Sequence, residues 1–377
     1  MLQRVWKSGW SEQSPLDPDY LWKMGSRGYG KADEVSVRDG EDIVDFRDRL
    51  IGLCAALNEE ADLTALGHAM AFGQLRNAIR RRFALGRWWR NYPDMAHTAI
   101  APPIIVVGQM RSGTTRVQRL LAADPAHSGT RFCDSMDPVP QIPYLRPLKA
   151  KAALALARRI NPWLDTMHPF GAVRTDEEIG WLSAALSPAA FEAQWHISSY
   201  VARNLSRDKG PVYREFARIL RTDAAHHGSA ERPRVLKCPQ YAEDLADLLT
   251  AFPDARIVRC SREPRDVLAS SVSMVASQMA FQNHALCEAS LEDYWQRRIA
   301  FREERMDADL AAHRGPVALM SFDELNADWR AAIVNAYRTL GVRMTDTAMQ
   351  AMEQEASRAR NDLHHAHRHQ VERLAST

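Results

Sequence analysis

Within eight positions, Gly108-Gln109-Met110-Arg111-Ser112-Gly113-Thr114-Thr115 bring together two glycines, one guanidinium and three hydroxyls. The glycine spacing is that of a phosphate-binding loop, where successive backbone N–H groups and a helix N-terminus converge on an anion. In a nucleotide triphosphatase a lysine follows the second glycine and reaches the β- and γ-phosphates. Here Thr114 holds that position, and the cation is Arg111, inside the loop. A planar guanidinium grips one tetrahedral oxyanion better than it spans two phosphates. The expected chemistry is therefore recognition of a phosphate ester, with triphosphate hydrolysis disfavoured.

A second basic-hydroxyl pair lies further along. Arg262 follows the apolar run Arg256-Ile257-Val258-Arg259-Cys260, and Ser270 comes two helical turns later, where its hydroxyl can point back toward the arginine. Together they make a second anion grip, separate from the first. Lys237 ends another short apolar run and is either a ligand for the anion at the glycine loop or a surface ion-pair partner.

The elements that must hold these residues follow from periodicity. Ile104-Ile105-Val106-Val107 is short and β-branched, as a buried strand should be, and Val117, Leu120 and Leu121 follow the loop at helical spacing. Arg234–Lys237, Arg256–Cys260 and Val317–Met320 read as further strands, each separated from the next by helical sequence. That alternation predicts an α/β fold with a mainly parallel central sheet flanked by helices. In such a sheet the strand ends carrying Gly108–Thr115 and Arg262 share one crevice if their strands are neighbours.

Ile43, Phe46, Leu50 and Leu53, then Leu66, Met70, Leu75 and Ile79, predict two or three amphipathic helices ahead of the first strand. Residues 1 to about 40 show no period and read as an irregular arm. The organisation expected is an N-terminal arm and helical extension over 1–100, an α/β catalytic domain over 101–345, and a helical, histidine-rich tail over 346–377. The prolines at 138, 140, 143 and 147 exclude regular helix and predict a segment crossing the mouth of the site.

Composition narrows the function classes. A net charge of +2 in 377 residues argues against bulk binding to nucleic acid, and Arg80-Arg81-Arg82 reads as a solvated helix face or an internal ion-pair partner. Five scattered cysteines without paired spacing read as free thiols rather than a disulfide framework or zinc site. No apolar run is long enough to cross a bilayer, and the first residues lack the core of a signal peptide. A cytoplasmic location is the expectation.

At this point the sequence resembles the sulfotransferases that use 3′-phosphoadenosine 5′-phosphosulfate, and most closely their bacterial branch. Their first signature is similar to Pro103–Gly108 with Arg111-Ser112-Gly113-Thr114-Thr115, and their second to Val258–Ser270. Leu236-Lys237-Cys238-Pro239-Gln240 and Phe252-Pro253-Asp254-Ala255-Arg256 add to the likeness, which covers roughly residues 40 to 345. The resemblance implies that Arg111, Ser112, Gly113, Thr114 and Thr115 hold the 5′-phosphosulfate. It also implies that Arg262 and Ser270 grip the 3′-phosphate and that the P-loop architecture is retained. Departures are Met110 for a common proline, Cys238 for a frequent serine, and Ser261-Arg262-Glu263-Pro264 for His-Arg-Asp-Pro.

Sulfuryl transfer to a hydroxyl or amine requires stabilisation of charge on the sulfonate and leaving phosphate, a base for the acceptor and exclusion of water. None of this requires a metal. The base is expected after the proline-rich stretch, among His168, Asp176, Glu177, Glu178 and His196, with Glu177 and Glu178 first and His168 second. Thr175-Asp176-Glu177-Glu178 equally resembles a helix capping box. The acceptor is expected to be a small molecule, a lipid or a saccharide. A P-loop nucleotide or small-molecule kinase and a catalytically silent nucleotide-binding protein are the competing readings. The histidines at 364, 365, 367 and 369 read as a solvated terminus, with metal binding the compositional alternative.

Overall fold

The computed structural model describes residues 12–161, 164–285 and 288–360. Its centre is a sheet of five parallel strands: β1 (Ile104–Val107), β2 (Ser128–Gly129), β3 (Arg234–Lys237), β4 (Arg256–Ser261) and β5 (Val317–Ser321). Their order across the sheet is β2-β3-β1-β4-β5. All four residues of β1 are buried, as a strand covered on both faces requires. Ile105 and Val107 face one core, with Trp89, Trp181, Phe216 and Tyr241. Ile104 and Val106 face another, with Val117, Leu120, Leu121, Ile333 and Met352.

This order sets the crevice. From β1 the chain runs to β2 and β3 on one side, then crosses to β4 and β5 on the other. Connections leaving β1 and β4 therefore diverge, and the space beyond their C-terminal ends is the switch point where such sheets bind ligands. Both predicted anion-binding segments start there. The register aligns Val107 of β1 with Arg259 of β4, and Val106 with Lys237 of β3, so Lys237 also reaches this edge.

Three expectations change. The stretch before residue 40 is not an irregular arm over its described part: helices span Pro18–Gly25 and Lys31–Val35. The first is set by Asp17, whose side chain accepts from the Tyr20 N–H, and by Pro18 at the first helical turn; it is too short to display a period. Thr175 caps no helix. The helix there spans Ile179–Ala184 with Glu178 at its cap position and no side-chain cap bond. Thr175 instead bridges to Arg131 in antiparallel fashion, and the Asp176 N–H donates to Thr130 O at 2.8 Å, so Asp176–Glu178 extends beside the end of β2. The proline-rich stretch leads into a helix over Arg146–Ile160, and its residues line a groove apart from the cleft described below.

Two long helices, Gly40–Glu59 and Ala65–Asn91, form an N-terminal layer. It shares a core with Phe191, Trp195 and Tyr200. Phe191, Trp195 and Trp181 are core side chains. Cys54, Cys133, Cys238 and Cys260 are buried free thiols. Cys287, Trp163 and the four C-terminal histidines lie outside the described residues.

Candidate active site

The loop between β1 and the helix Thr114–Ala123 is shaped by its glycines. A Cβ on Gly108 would lie 2.6 Å from the Cys260 carbonyl oxygen of β4, so only glycine lets the two strand ends approach. Gly113 has φ 88° and caps the helix without a side-chain bond. The amides of the first turn are thereby left facing outward, with the positive end of the helix dipole behind them. Arg111 itself sits at φ 69°, a region costly for a non-glycine residue and associated with functional loops. Ser112 is buried and its hydroxyl donates to Gln109 O at 2.6 Å, bracing the turn. The Gln109 amide donates to Ile299 O at 3.1 Å, tying the loop to the helix Glu288–Ala312.

The two predicted grips meet in one constellation. Arg111 Nε donates to Ser270 Oγ at 2.8 Å, and Arg262 Nη1 donates to the Arg111 carbonyl at 3.1 Å. Arg262 also lies 4.3 Å over the Phe322 ring and 3.2 Å from Asp266. Burial, and then the neighbouring Arg262 charge, hold the Arg111 guanidinium below its ordinary pKa. An anion placed between the two arginines would relieve that repulsion.

A cleft of about 460 Å³ opens here, walled by Arg111, Gly113, Thr114, Thr115 and Arg262 from the loop side, and by His168 opposite. Arg116, Arg119, Arg174, Phe322, Asn326 and Glu355 add to the lining; the three arginines, Asn326 and Glu355 were not singled out in the sequence. Arg119 lies one turn beyond both Thr115 and Arg116, at i+4 and i+3, a spacing legible in the sequence. Arg174 and Glu355, paired at 2.8 Å, were not legible there, because they join segments far apart in the chain. His196 is exposed and is not among the residues lining this cleft.

Two carboxylate systems lie at this edge of the sheet; only the second reaches the cleft wall, through His168, while Glu177, Glu178, Lys237 and Ser270 are not among the residues lining the cleft. In the first, Lys237 Nζ binds Glu177 Oε2 at 2.6 Å, and the Lys237 N–H and Tyr241 hydroxyl donate to Glu178 Oε2 at 2.8 and 3.1 Å. Glu177 keeps 20% of its side chain exposed, whereas Glu178 is sealed, and burial pushes its pKa up to about 7 despite those donors. Burial opposes the Lys237 charge, but Glu177 more than restores it and raises the lysine above its ordinary value. In the second system, His168 Nε2 lies 2.9 and 3.0 Å from the two oxygens of buried Asp176. Burial alone would raise the Asp176 pKa, yet His168 and then Arg119 hold it low. An ionised carboxylate only accepts, so Nε2 is the nitrogen that donates to Asp176.

Away from the cleft, Asp134, Asp223 and His227 cluster with geometry that would suit a cation. Both acids are already paired with arginines: Asp134 with Arg131 at 2.7 Å and Arg146 at 3.2 Å, and Asp223 through Oδ2 with Arg234 at 2.8 Å. This is an internal ion-pair network.

A family model described as "Sulfotransferase family" matches residues 102–346. Among curated proteins, the omega-hydroxy-beta-dihydromenaquinone-9 sulfotransferases Stf3 of Mycobacterium bovis and Mycobacterium tuberculosis are each 24% identical over 198 residues, covering 48% of this chain and 47% of theirs. The match thus spans about half the length of those relatives. The crystal structure of sulfotransferase STF1 from M. tuberculosis H37Rv is 27% identical and superimposes with a TM-score of 0.80, covering 91% of this chain and 94% of that one. Sulfotransferase STF9 from Mycobacterium avium, at 19% identity, shares the fold with a TM-score of 0.79 over 91% and 88% of the two chains.

Proposed function

The chain belongs to the sulfotransferase family, and from that premise we propose that it transfers a sulfonate group from 3′-phosphoadenosine 5′-phosphosulfate to a hydroxyl or amine of a small molecule, lipid or saccharide. The observation that carries this reading is the interlocked set of Arg111, Ser270 and Arg262 at the mouth of the glycine loop. It offers two guanidinium groups to a donor with two separate anionic ends, and it lacks the lysine that a kinase needs at Thr114.

In this reading the first-turn amides, Ser112, Gly113, Thr114, Thr115 and Arg111 hold the 5′-phosphosulfate, and Arg262 with Ser270 takes the 3′-phosphate. The acceptor oxygen attacks sulfur in line as the bond from sulfur to the bridging phosphate oxygen breaks. Negative charge grows on that oxygen, where Arg111 and Lys237 stabilise it. The acceptor proton passes to Glu177, the less buried of the adjacent acids. Glu178 positions the Lys237 backbone and Tyr241 from below. A second reading of the base rests on His168, which lines the cleft and is oriented by Asp176. No metal enters this chemistry. The relatives named for omega-hydroxy-beta-dihydromenaquinone-9 make that compound the first acceptor to try.

Transfer of labelled sulfonate from the donor to an acceptor panel is the test. Glu177→Gln should lower turnover by about 10²–10⁴-fold while adenosine 3′,5′-bisphosphate still binds. Full turnover in Glu177→Gln with loss in His168→Ala would move the role to His168. A parent protein that binds the bisphosphate yet transfers to no acceptor would favour a catalytically silent binding protein.

A further inference from the structure

One face away from the cleft is built unlike the rest of the surface. From Pro138 to Ile160 the chain carries Arg146, Lys149, Lys151, Arg158 and Arg159 and no acidic residue. Half of the large apolar side chains exposed among the described residues fall between Met136 and Val173, with Ile142 at 80%, Leu148 at 63% and Leu156 at 60% exposure. The helix Arg146–Ile160 buries Ala150 and Leu154 against Cys133 and Ala172. Its opposite side presents Leu148, Ala152 and Leu156 at four-residue steps, continued by Ile142 and Leu145 before it and Ile160 at its end. A contiguous apolar ridge of this kind marks an interaction surface.

Beside the ridge, between this helix and the helix Ala65–Asn91, runs a groove of about 560 Å³. Arg80, Arg81 and Lys149 line it, with Arg146, itself paired with Asp134 at 3.2 Å, at its floor; Asp137 is the one acid among the lining residues. Arg158 at the far end is paired with Asp165 at 2.6 Å, while Lys151 and Arg159 are exposed along the helix flanks. An apolar ridge edged by cations is the pattern of helices that lie in a membrane interface.

We propose that this face docks on a lipid surface bearing anionic phosphate headgroups, the ridge entering the headgroup–acyl boundary and the groove receiving a headgroup phosphate. Charge decides the occupant. A second copy of the same face would set like charges against one another, whereas an anionic bilayer complements both the rim and the groove. The buried side of the same helix connects to the cleft wall: Leu154 packs in the cluster that contains Phe170, whose ring lies 4.5 Å from that of His168. Docking itself does not depend on the sulfonate-transfer reading.

The test is flotation of the full chain with vesicles of phosphatidylcholine alone or mixed with phosphatidylglycerol, at low and high salt, with no donor or acceptor present. The protein should float with the phosphatidylglycerol vesicles only, and less so at high salt. The triple variant Lys149→Gln/Lys151→Gln/Arg159→Gln should reduce partitioning on the order of a hundred-fold. Leu148→Ser/Leu156→Ser should also reduce it at unchanged charge, and both variants should melt as the parent does. Equal partitioning to both vesicle types, partitioning to neither, or variants that float like the parent would overturn the proposal. So would a concentration-dependent dimer in sedimentation that Leu148→Ser/Leu156→Ser abolishes, which would assign the face to a second copy.

Discussion

Glu177 and Glu178 are adjacent in sequence and opposite in circumstance. Glu177 faces partly outward with Lys237 as partner, while Glu178 is sealed. A carboxyl raised from about 4.5 to about 7 keeps its proton in the folded state across a range where the unfolded chain has released it. Its contribution to stability is therefore complete below about pH 4.5 and is lost as pH rises toward 7, by roughly 3 kcal/mol in all. Asp244, likewise pushed up to about 7 by burial and then by Glu243, has the same sign. In Glu178→Gln, denaturant unfolding at pH 5 and pH 8 should show a smaller loss of stability with pH than in the parent; an unchanged loss would refute the sealed, protonated state. The identities of Arg111, Arg262 and Ser270 were legible because short motifs map directly onto strand ends. Which of two neighbouring acids meets solvent was not, because it depends on residues 175–178 lying beside β2 rather than opening a helix.

At the scale of elements, the switch point between β1 and β4 does the positioning. The strand order brings the glycine loop and Arg262 together, and Gly108 sets how closely the strand ends approach. In Gly108→Ala the new Cβ would press on the Cys260 carbonyl, so stability should fall by about 1–3 kcal/mol, with bisphosphate binding weakened alongside. Thermal melting and titration of the same sample check this, and a variant that melts and binds as the parent does would show that the contact can relax. Strands β1, β3, β4 and β5 were readable as short apolar runs between helical segments. The two-residue β2 was not, since Ser128-Gly129 has no apolar signature and gains its place only by pairing with β3. The Pro18–Gly25 and Lys31–Val35 helices were missed for a related reason: they are too brief for a period to show.

Across the whole molecule, buried ion pairs join segments that no local pattern connects. Arg38 meets Glu215 at 2.6 Å, and Arg218 meets Asp42 at 2.6 Å, fastening the N-terminal helices to the helix Gly210–His226. Arg298 and Arg302 enclose Glu192 and Glu243 at 2.6 to 2.8 Å, fixing the helix whose Ile299 carbonyl holds Gln109 of the loop. Arg298→Met should cost about 3–5 kcal/mol by leaving buried carboxylates short of a partner, readable in urea midpoints; a loss within 1 kcal/mol would mean the cluster is not a structural clamp. The central claim is that the cleft is made for a nucleotide with a 5′ anion and a separate 3′-phosphate, and calorimetric titration tests it most directly. The parent should bind adenosine 3′,5′-bisphosphate in preference to ATP with Mg²⁺. Arg262→Ala should weaken the bisphosphate by about 10–100-fold and leave adenosine 5′-phosphosulfate, which lacks the 3′-phosphate, nearly unchanged. Tight ATP binding with no response to the bisphosphate, or equal losses toward both adenosine ligands in Arg262→Ala, would contradict it.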